Sequence, residues 1–271
     1  MTRRRFYAPP AAFSPDGRSA KLSADESRHL RNVLRLDVGD EIFLFDGDGK
    51  EFQCRVQRVG RDSTEVSVIN QVDPAQPESS LNLTLAIALL KGEKFDLAIQ
   101  KATELGVTRI IPVMTARADV RIKSDGDAER KITRWARIAL EATKQCGRAR
   151  LMKIERPLMF SDLVRDGGPD NSADGDDASE DAGAPVKNSD VRIMFAERQG
   201  ASLPEVLSNG KDRRQNVTAL IGPEGGWADD EIDQASIAGW KIVTLGGRTL
   251  RAETAAIVAA TLIQHRFGDL T

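Results

Sequence analysis

The sequence predicts an α/β protein in which a small all-β unit precedes a larger domain built on a parallel sheet. Short alternating strands joined by an aspartate-glycine turn fill the first part of the chain. After a proline-containing linker come an apolar strand, a helix and a second strand, the order of a right-handed β-α-β crossover. Two glycine loops near the C-terminus each end an apolar strand and begin a helix.

Composition sets the limits within which this fold is interpreted. The 271 residues suffice for two domains or one large one, and 40% of them are hydrophobic. No apolar run is long enough to span a membrane, and no apolar segment follows the basic start Met1–Tyr7, so we expect neither a membrane association nor a secretory signal. The two cysteines, Cys54 and Cys146, lie far apart, and only two histidines are present. We therefore expect no metal site and a reducing, cytoplasmic location.

The net charge of −2 conceals a basic protein with one acidic tract. Between Ser161 and Asp190 there are nine acidic residues and two basic ones, which leaves 37 basic against 32 acidic residues elsewhere. The excess concentrates between Arg117 and Lys153, where eleven basic residues stand against five acidic ones. Such a cluster favours a polyanion such as RNA, because neutralised phosphates release counterions. A solvated helix face is the alternative interpretation.

The first 72 residues have the pattern of a small β unit. The apolar run Glu41–Phe45 is followed by Asp46–Gly49 and then by Glu51–Val56, which predicts a hairpin. A further alternating segment covers Thr64–Ile69. Residues 1–72 are therefore predicted to form one domain.

A linker and a change of pattern follow. Asp73–Ser80 contains two prolines and no apolar periodicity, so residues 73–80 are predicted to connect two domains. The second domain is expected to cover residues 81–271. It begins with the nearly continuous apolar strand Leu83–Leu90, as in a covered parallel sheet. A helix ending near Gly106 and a strand over Val107–Met114 complete the crossover.

The remainder continues the α/β alternation. A long amphipathic helix precedes strands predicted at 191–196, 217–221 and 241–245, and a final helix is expected at about 252–266. The tract at about 166–190 is almost free of large apolar residues, so we predict a flexible insertion there.

The two glycine loops predict a ligand site. Val217–Ile221 leads into Gly222–Gly226, and Lys241–Leu245 leads into Gly246 and onward to a helix start that carries Arg251. Open α/β sheets bind ligands at the carboxyl ends of their strands, and glycine lets the main chain approach a ligand closely. Each loop alone could be a plain strand-to-helix turn; together they suggest one split pocket. Neither matches a dinucleotide or P-loop fingerprint, so we expect no such nucleotide.

These residues carry a family resemblance. The string Ile221–Gly226 followed by Leu245–Ala255 resembles the RsmE family, bacterial 16S ribosomal RNA uridine N3-methyltransferases of the SPOUT superfamily. The resemblance covers nearly the whole chain, since further similar segments are Lys91–Lys94, Ile99–Gly106, Gln145–Arg148, His29–Arg35 and Arg266–Leu270.

The resemblance implies an N-terminal PUA-like β-barrel that binds RNA and a SPOUT α/β domain with a C-terminal trefoil knot. It also implies S-adenosylmethionine as the cofactor, 16S ribosomal RNA of the small subunit as the partner, and a homodimer. The residues expected at the cofactor are Ala196, Leu220, Ile221, Gly222, Pro223, Glu224, Gly225, Gly226, Leu245, Gly246, Arg248, Leu250, Arg251 and Thr254.

Methylation of uracil N3 requires that the N3 proton leave, because the neutral imide nitrogen has no free lone pair. A base for the proton and a donor for the charge on the flanking carbonyl oxygens would suffice. Glu253 is the candidate base and Arg251 the leading charge stabiliser, while Glu224 could take the base role instead.

The RNA contacts are expected on the β unit and at the end of the long helix. The candidates are Arg5, Tyr7, His29, Arg31, Arg35, Gln145 and Arg148, the last two assigned to RNA or to a partner subunit. A non-catalytic ribosome-assembly factor that binds RNA is the competing function, and a SPOUT methyltransferase acting on another RNA is a third possibility.

Overall fold

A five-stranded sheet forms the centre of the first of two compact units in this computed structural model. The structure describes residues 3–166, 190–208 and 216–270, so 167–189 of the predicted flexible insertion lie outside the described residues. The first unit comprises Met1–Glu78 with Ala139–Leu151, and the second comprises the rest of the chain.

The sheet of the first unit has the strand order β1-β3-β4-β5-β2. Its strands are β1 (Arg5–Tyr7), β2 (Ser19–Leu22), β3 (Glu41–Phe45), β4 (Glu51–Val59) and β5 (Thr64–Val72). Strand β1 runs parallel to β3, while the other pairs are antiparallel. The predicted hairpin is therefore present as β3 and β4. A 3-10 turn (Pro10–Ala12), helix α1 (Ala24–Arg28) and a π-helical turn (His29–Val33) complete the unit's regular elements.

Alternation along the strands builds the core of this unit. Ile42 and Leu44 of β3 are fully buried, together with Phe6, Leu22 and Leu30. A strand points successive side chains to opposite faces, so every second residue of β3 reaches the core.

A buried carboxylate joins three segments of the first unit. Glu51 is inaccessible to solvent and accepts hydrogen bonds from Arg3, Arg5 and the Ala75 amide, at 3.0 Å from each nearest nitrogen. The Arg5 guanidinium also donates to the Arg148 carbonyl at 2.7 Å. A single ionised side chain therefore holds β1, β4 and residues 75 and 148 in one arrangement.

Replacing Glu51 with glutamine should lower the free energy of unfolding by about 3–5 kcal/mol, because the buried Arg5 would lose its charged partner. Urea denaturation measures the change. Glu41→Gln is the matched control: Glu41 pairs with Arg55 on the exposed face of the same sheet, where water screens the pair, so the variant should lose much less stability. Equal losses for the two variants would contradict a structural role for Glu51.

The second unit contains an eight-stranded parallel sheet. Its order is β11-β13-β10-β12-β6-β7-β8, with β9 also beside β7. The strands are β6 (Asn82–Ala88), β7 (Arg109–Met114), β8 (Lys153–Ile154), β9 (Leu158–Met159), β10 (Asp190–Phe195), β11 (Ala201–Ser202), β12 (Asn216–Ile221) and β13 (Lys241–Thr244). The predicted strands are therefore present, and the short β8, β9 and β11 are additions that no apolar run announces.

Helices follow the strands as the β-α-β pattern predicts. They are α2 (Lys94–Glu104), α3 (Asp125–Cys146), α4 (Phe160–Asp166), α5 (Leu203–Ser208), α6 (Asp229–Ile237) and α7 (Ala252–Phe267). Gly106, just past α2, has a φ of +74°, a backbone conformation that ends a helix and favours glycine. No helix in the described ranges has the length and apolar character that crossing a membrane requires.

Register decides where the strands of the second unit end. Phe195 of β10 pairs with Ile221 of β12 on one side and with Val243 of β13 on the other. The carboxyl ends of these three parallel strands therefore lie side by side at one edge of the sheet. The buried side chains Met194, Leu220 and Trp240 pack against this region.

Candidate functional site

A cavity of about 410 Å³ lies at the carboxyl ends of β10, β12 and β13. Three loops line it, one from each strand: residues 195–197, residues 221–227 without Gly225, and residues 244–252, with Ala255 of α7. The two predicted glycine loops therefore share one cavity, and the end of β10 adds a third wall.

Trp227 fixes the loop after β12 against the end of β10. Its indole nitrogen donates a hydrogen bond to the Phe195 carbonyl at 2.8 Å. The ring lies so close to Gly222 that a Cβ added there would stand 2.8 Å from two indole atoms. The tryptophan ring therefore requires glycine at position 222.

A buried glutamate fixes the same loop where α6 begins, just after Trp227. Glu231, 4% exposed, accepts the Ala228 amide at 3.1 Å and the Ala116 amide at 2.8 Å. It thereby satisfies a donor at the start of α6 and one in the segment after β7. Trp227 and Glu231 therefore hold the end of this loop in place before any ligand binds.

Most residues predicted at the cofactor line the cavity. They are Ala196, Ile221, Gly222, Pro223, Glu224, Gly226, Leu245, Gly246, Arg248, Leu250 and Arg251. Leu220, Gly225 and Thr254 do not line it. Leu220 is buried in the core, Thr254 is exposed on α7, and a Cβ at Gly225 would stand 3.0 Å from the Arg117 carbonyl oxygen. The close approach at Gly225 is thus to protein backbone.

Lys94, at the start of α2, holds one of the two candidate bases. Its ammonium lies 2.7 Å from a carboxylate oxygen of Glu224. This hydrogen bond raises the pKa of Lys94 above its ordinary value, so the side chain is charged at neutral pH. In the sequence, Lys91–Lys94 stands out only as part of the family resemblance. No local sequence pattern links Lys94 to Glu224, because 130 positions separate the two residues.

Glu253 differs from Glu224 in its surroundings. It is 7% exposed, and its Oε2 atom is buried with no hydrogen-bond partner in the part of the chain that the structure describes. It follows Arg251 and Ala252 of the cavity wall without lining the cavity itself. Lys94 interacts electrostatically with Glu253 as well as with Glu224, so the two carboxylates and this ammonium form one charge network.

Two residues predicted to contact RNA are instead engaged within the first unit. The side chains of Arg5 and Arg148 are each 6% exposed and pair with Glu51 and Glu78, at 3.0 and 2.9 Å. A buried guanidinium that is already hydrogen-bonded to a carboxylate has few N–H donors left for a phosphate. These ion pairs argue against the predicted RNA contacts of Arg5 and Arg148.

The other predicted RNA residues lie nearer to solvent. Arg31, Arg35 and Gln145 are exposed, and His29 is half-buried with its ring edge-on to Phe6. Tyr7 is also half-buried. Burial, with the nearby carboxylates Asp48 and Asp46, raises the pKa of Tyr7, so its hydroxyl stays protonated.

The exposed residues include apolar ones. Val33, within the π-helical turn, and Val38 are each 64% exposed beside Arg31 and Arg35 in sequence. The first unit therefore presents a mixed basic and apolar segment to solvent. Neither this segment nor any other described part of the chain groups three His, Cys, Asp or Glu residues that could hold a metal ion.

Comparison with known families defines the class of protein. A family model described as an RNA methyltransferase domain matches residues 77–264, and one described as an RNA methyltransferase PUA domain matches residues 22–69. The protein is thus an α/β RNA methyltransferase with a PUA-like N-terminal domain.

Individual relatives narrow the class. A ribosomal RNA small subunit methyltransferase E from Mesomycoplasma hyopneumoniae is 34% identical over 86% of this chain and 89% of its own length. The enzyme of that name from Rickettsia conorii is 30% identical over 90% of this chain and 88% of its own. The chain belongs to the RsmE family.

Solved structures agree in fold over the full length. The Neisseria gonorrhoeae ribosomal RNA small subunit methyltransferase E, bound to S-adenosyl methionine, is 29% identical with a TM-score of 0.81. A Legionella pneumophila methyltransferase in complex with the same cofactor is 30% identical, also with a TM-score of 0.81. Each comparison covers 100% of both chains.

Gly222→Ala should lower the free energy of unfolding by about 1–3 kcal/mol, because the new methyl group must displace the Trp227 ring. Thermal or urea denaturation measures it. Gly126→Ala is the control: it lies in α3, and a Cβ there meets no atom closer than 4.0 Å, so helix propensity should stabilise the protein by up to about 1 kcal/mol. Retained stability in Gly222→Ala would show that Trp227 moves without cost.

Proposed function

We propose that this protein methylates N3 of a uridine in 16S ribosomal RNA of the small ribosomal subunit, using S-adenosylmethionine. The observation that carries the proposal is the three-walled cavity at the ends of β10, β12 and β13, in a chain of the RsmE family. The relatives' name supports the RNA, and the cofactor named for two similar structures supports the methyl donor.

The cavity lining suits a partly apolar ligand that carries hydrogen-bonding groups. Ile221, Leu245 and Leu250 supply apolar wall, and the main chain at Gly246 is open to close approach. Among the described residues, no atom lies within 4 Å of a Cβ added to Gly246, whose φ is +76°. When bound there, the cofactor would supply the electrophilic methyl group.

The connections around the cavity support the predicted trefoil knot. Strands β10, β12 and β13 are adjacent but out of chain order, with β10 between the other two. We propose that their loops, around Ala196, Gly222 and Gly246, wrap the cofactor as the family resemblance implies.

We assign the base role to Glu253 and the charge-stabilising role to Arg251. Glu224 already accepts a hydrogen bond from Lys94, which occupies one of its carboxylate oxygens. Glu253 stands two positions after Arg251 of the cavity wall and keeps one oxygen that has no hydrogen-bond partner among the described residues. Arg251, exposed at the cavity wall, has no ion-pair partner among the described residues and can donate to a uracil carbonyl as negative charge develops.

Glu253→Gln should leave cofactor and RNA affinity intact while lowering kcat roughly 10²–10⁴-fold, because the amide keeps the shape but accepts no proton. The assay is transfer of labelled methyl to small-subunit RNA, and turnover should partly recover at high pH as uridine ionises. Glu224→Gln is the control and should lose less. The reverse order of losses would move the base role to Glu224; an unchanged rate in both variants would remove it from either.

We propose that the first unit binds the RNA, with residues 1–72 as the binding domain, 73–80 as the linker and 81–271 as the methyltransferase domain. The exposed segment with Arg31 and Arg35 supports this role, because exposed guanidinium groups bind phosphates.

Arg31→Ala should weaken RNA binding and reduce the slope of log K against log salt by about 1, as expected for one lost phosphate contact. Filter binding across a salt series measures both. Arg55→Ala, which removes an arginine already paired with Glu41 on the β4 face, should change neither. An unchanged slope for Arg31→Ala would place the RNA surface elsewhere.

A homodimer belongs to the same proposal. The family resemblance implies it, and Leu97 of α2 and Leu262 of α7 are each 40% exposed on helices that contact each other.

Calorimetry with S-adenosylmethionine separates the enzyme from the alternative, a non-catalytic RNA-binding assembly factor, since a protein without a cofactor site would give no binding heat.

A further inference from the structure

We propose that Glu197 compensates the positive charge of the sulfonium cofactor and makes the cavity prefer it over the uncharged thioether that remains after methyl transfer. The inference rests on the proposed function, since it takes the cavity to be the cofactor site. Glu197 was not among the residues expected at the cofactor from the sequence.

Glu197 lies against the loop that follows β12. Glu197 comes directly after Ala196 at the end of β10 and lines the cavity. Both of its carboxylate oxygens lie 2.9 Å from where a Cβ on Gly226 would stand. Gly226 has a φ of +68° and no side chain, so the carboxylate rests against the loop that follows β12. The carboxylate thus spans from one wall of the cavity to the next.

Of the two carboxylates that line the cavity, Glu197 is the one without an ion-pair partner among the described residues. Arg248 and Arg251 line the cavity, and Lys94 reaches it through Glu224. Glu224 is neutralised by Lys94, whereas Glu197 has no hydrogen-bond or ion-pair partner in the residues described. Without Glu197, the cavity lining would hold two arginines and one carboxylate that is already paired with Lys94.

A cavity lining with this excess of positive charge would repel the cofactor, which is itself positively charged. S-adenosylmethionine carries a sulfonium and an ammonium against one carboxylate, so its net charge is positive. S-adenosylhomocysteine has a neutral sulfur and no net charge. A carboxylate in the cavity therefore favours the first ligand over the second, and unit charges a few ångströms apart near a protein surface interact by enough to change an affinity about tenfold.

The test measures two affinities by calorimetry in the full-length protein. Glu197→Gln should weaken S-adenosylmethionine binding about tenfold and leave S-adenosylhomocysteine binding within about twofold. Asp233→Asn is the matched control, since it makes the same change from carboxylate to amide on the exposed face of α6 and should alter neither affinity. The melting temperature of each variant checks that it folds.

Each other outcome overturns a stated part. An equal loss of affinity for both ligands would mean that Glu197 contacts a group the two share, such as the ribose or the ammonium. It would contradict the proposal that Glu197 distinguishes the sulfonium from the neutral sulfur. No loss for either would remove Glu197 from the site. Failure of the unaltered protein to bind either ligand would refute the proposed function itself, independently of Glu197.

Discussion

The parallel register of β13, β10 and β12 is the constraint on which the site depends. Because Phe195 pairs with both Ile221 and Val243, the three strands end at one level and their loops must share the same space. Backbone ladders of this kind are rigid, so the cavity walls are positioned by the sheet. The side chains in the loops then only adjust chemistry within a volume that the sheet has already set.

Two polar anchors convert that volume into a defined site. The indole of Trp227 bonds to the end of β10, and the buried Glu231 secures the same loop at the start of α6. Both anchors satisfy donors that would otherwise be buried or lost at a helix start, so stability and site geometry come from the same bonds. Because the loop after β12 is already held, a cofactor that binds in this cavity would cost that loop little conformational entropy.

Charge is distributed between the units with different consequences. In the first unit, Glu51 and Glu78 form ion pairs with Arg5 and Arg148. Composition alone would have left these arginines available to RNA. In the second, Lys94 pairs with Glu224, whereas Glu197 and Glu253 keep oxygens that have no partner within the described ranges. Counting charges along the sequence treats these groups alike, whereas their partners decide which remain available to a ligand.

The sequence by itself determined the order of the elements, the two glycine loops and the family, because hydrophobic period, glycine placement and motif spacing are local along the chain. It also placed eleven of the expected cofactor residues at the cavity. Only the tertiary structure decided that Arg5 is buried, that Lys94 pairs with Glu224, and that Glu197 lines the cavity with no ion-pair partner among the residues described. Those outcomes depend on residues far apart in sequence that the folded sheet and its loops bring within hydrogen-bond distance, and no local pattern records such a pairing.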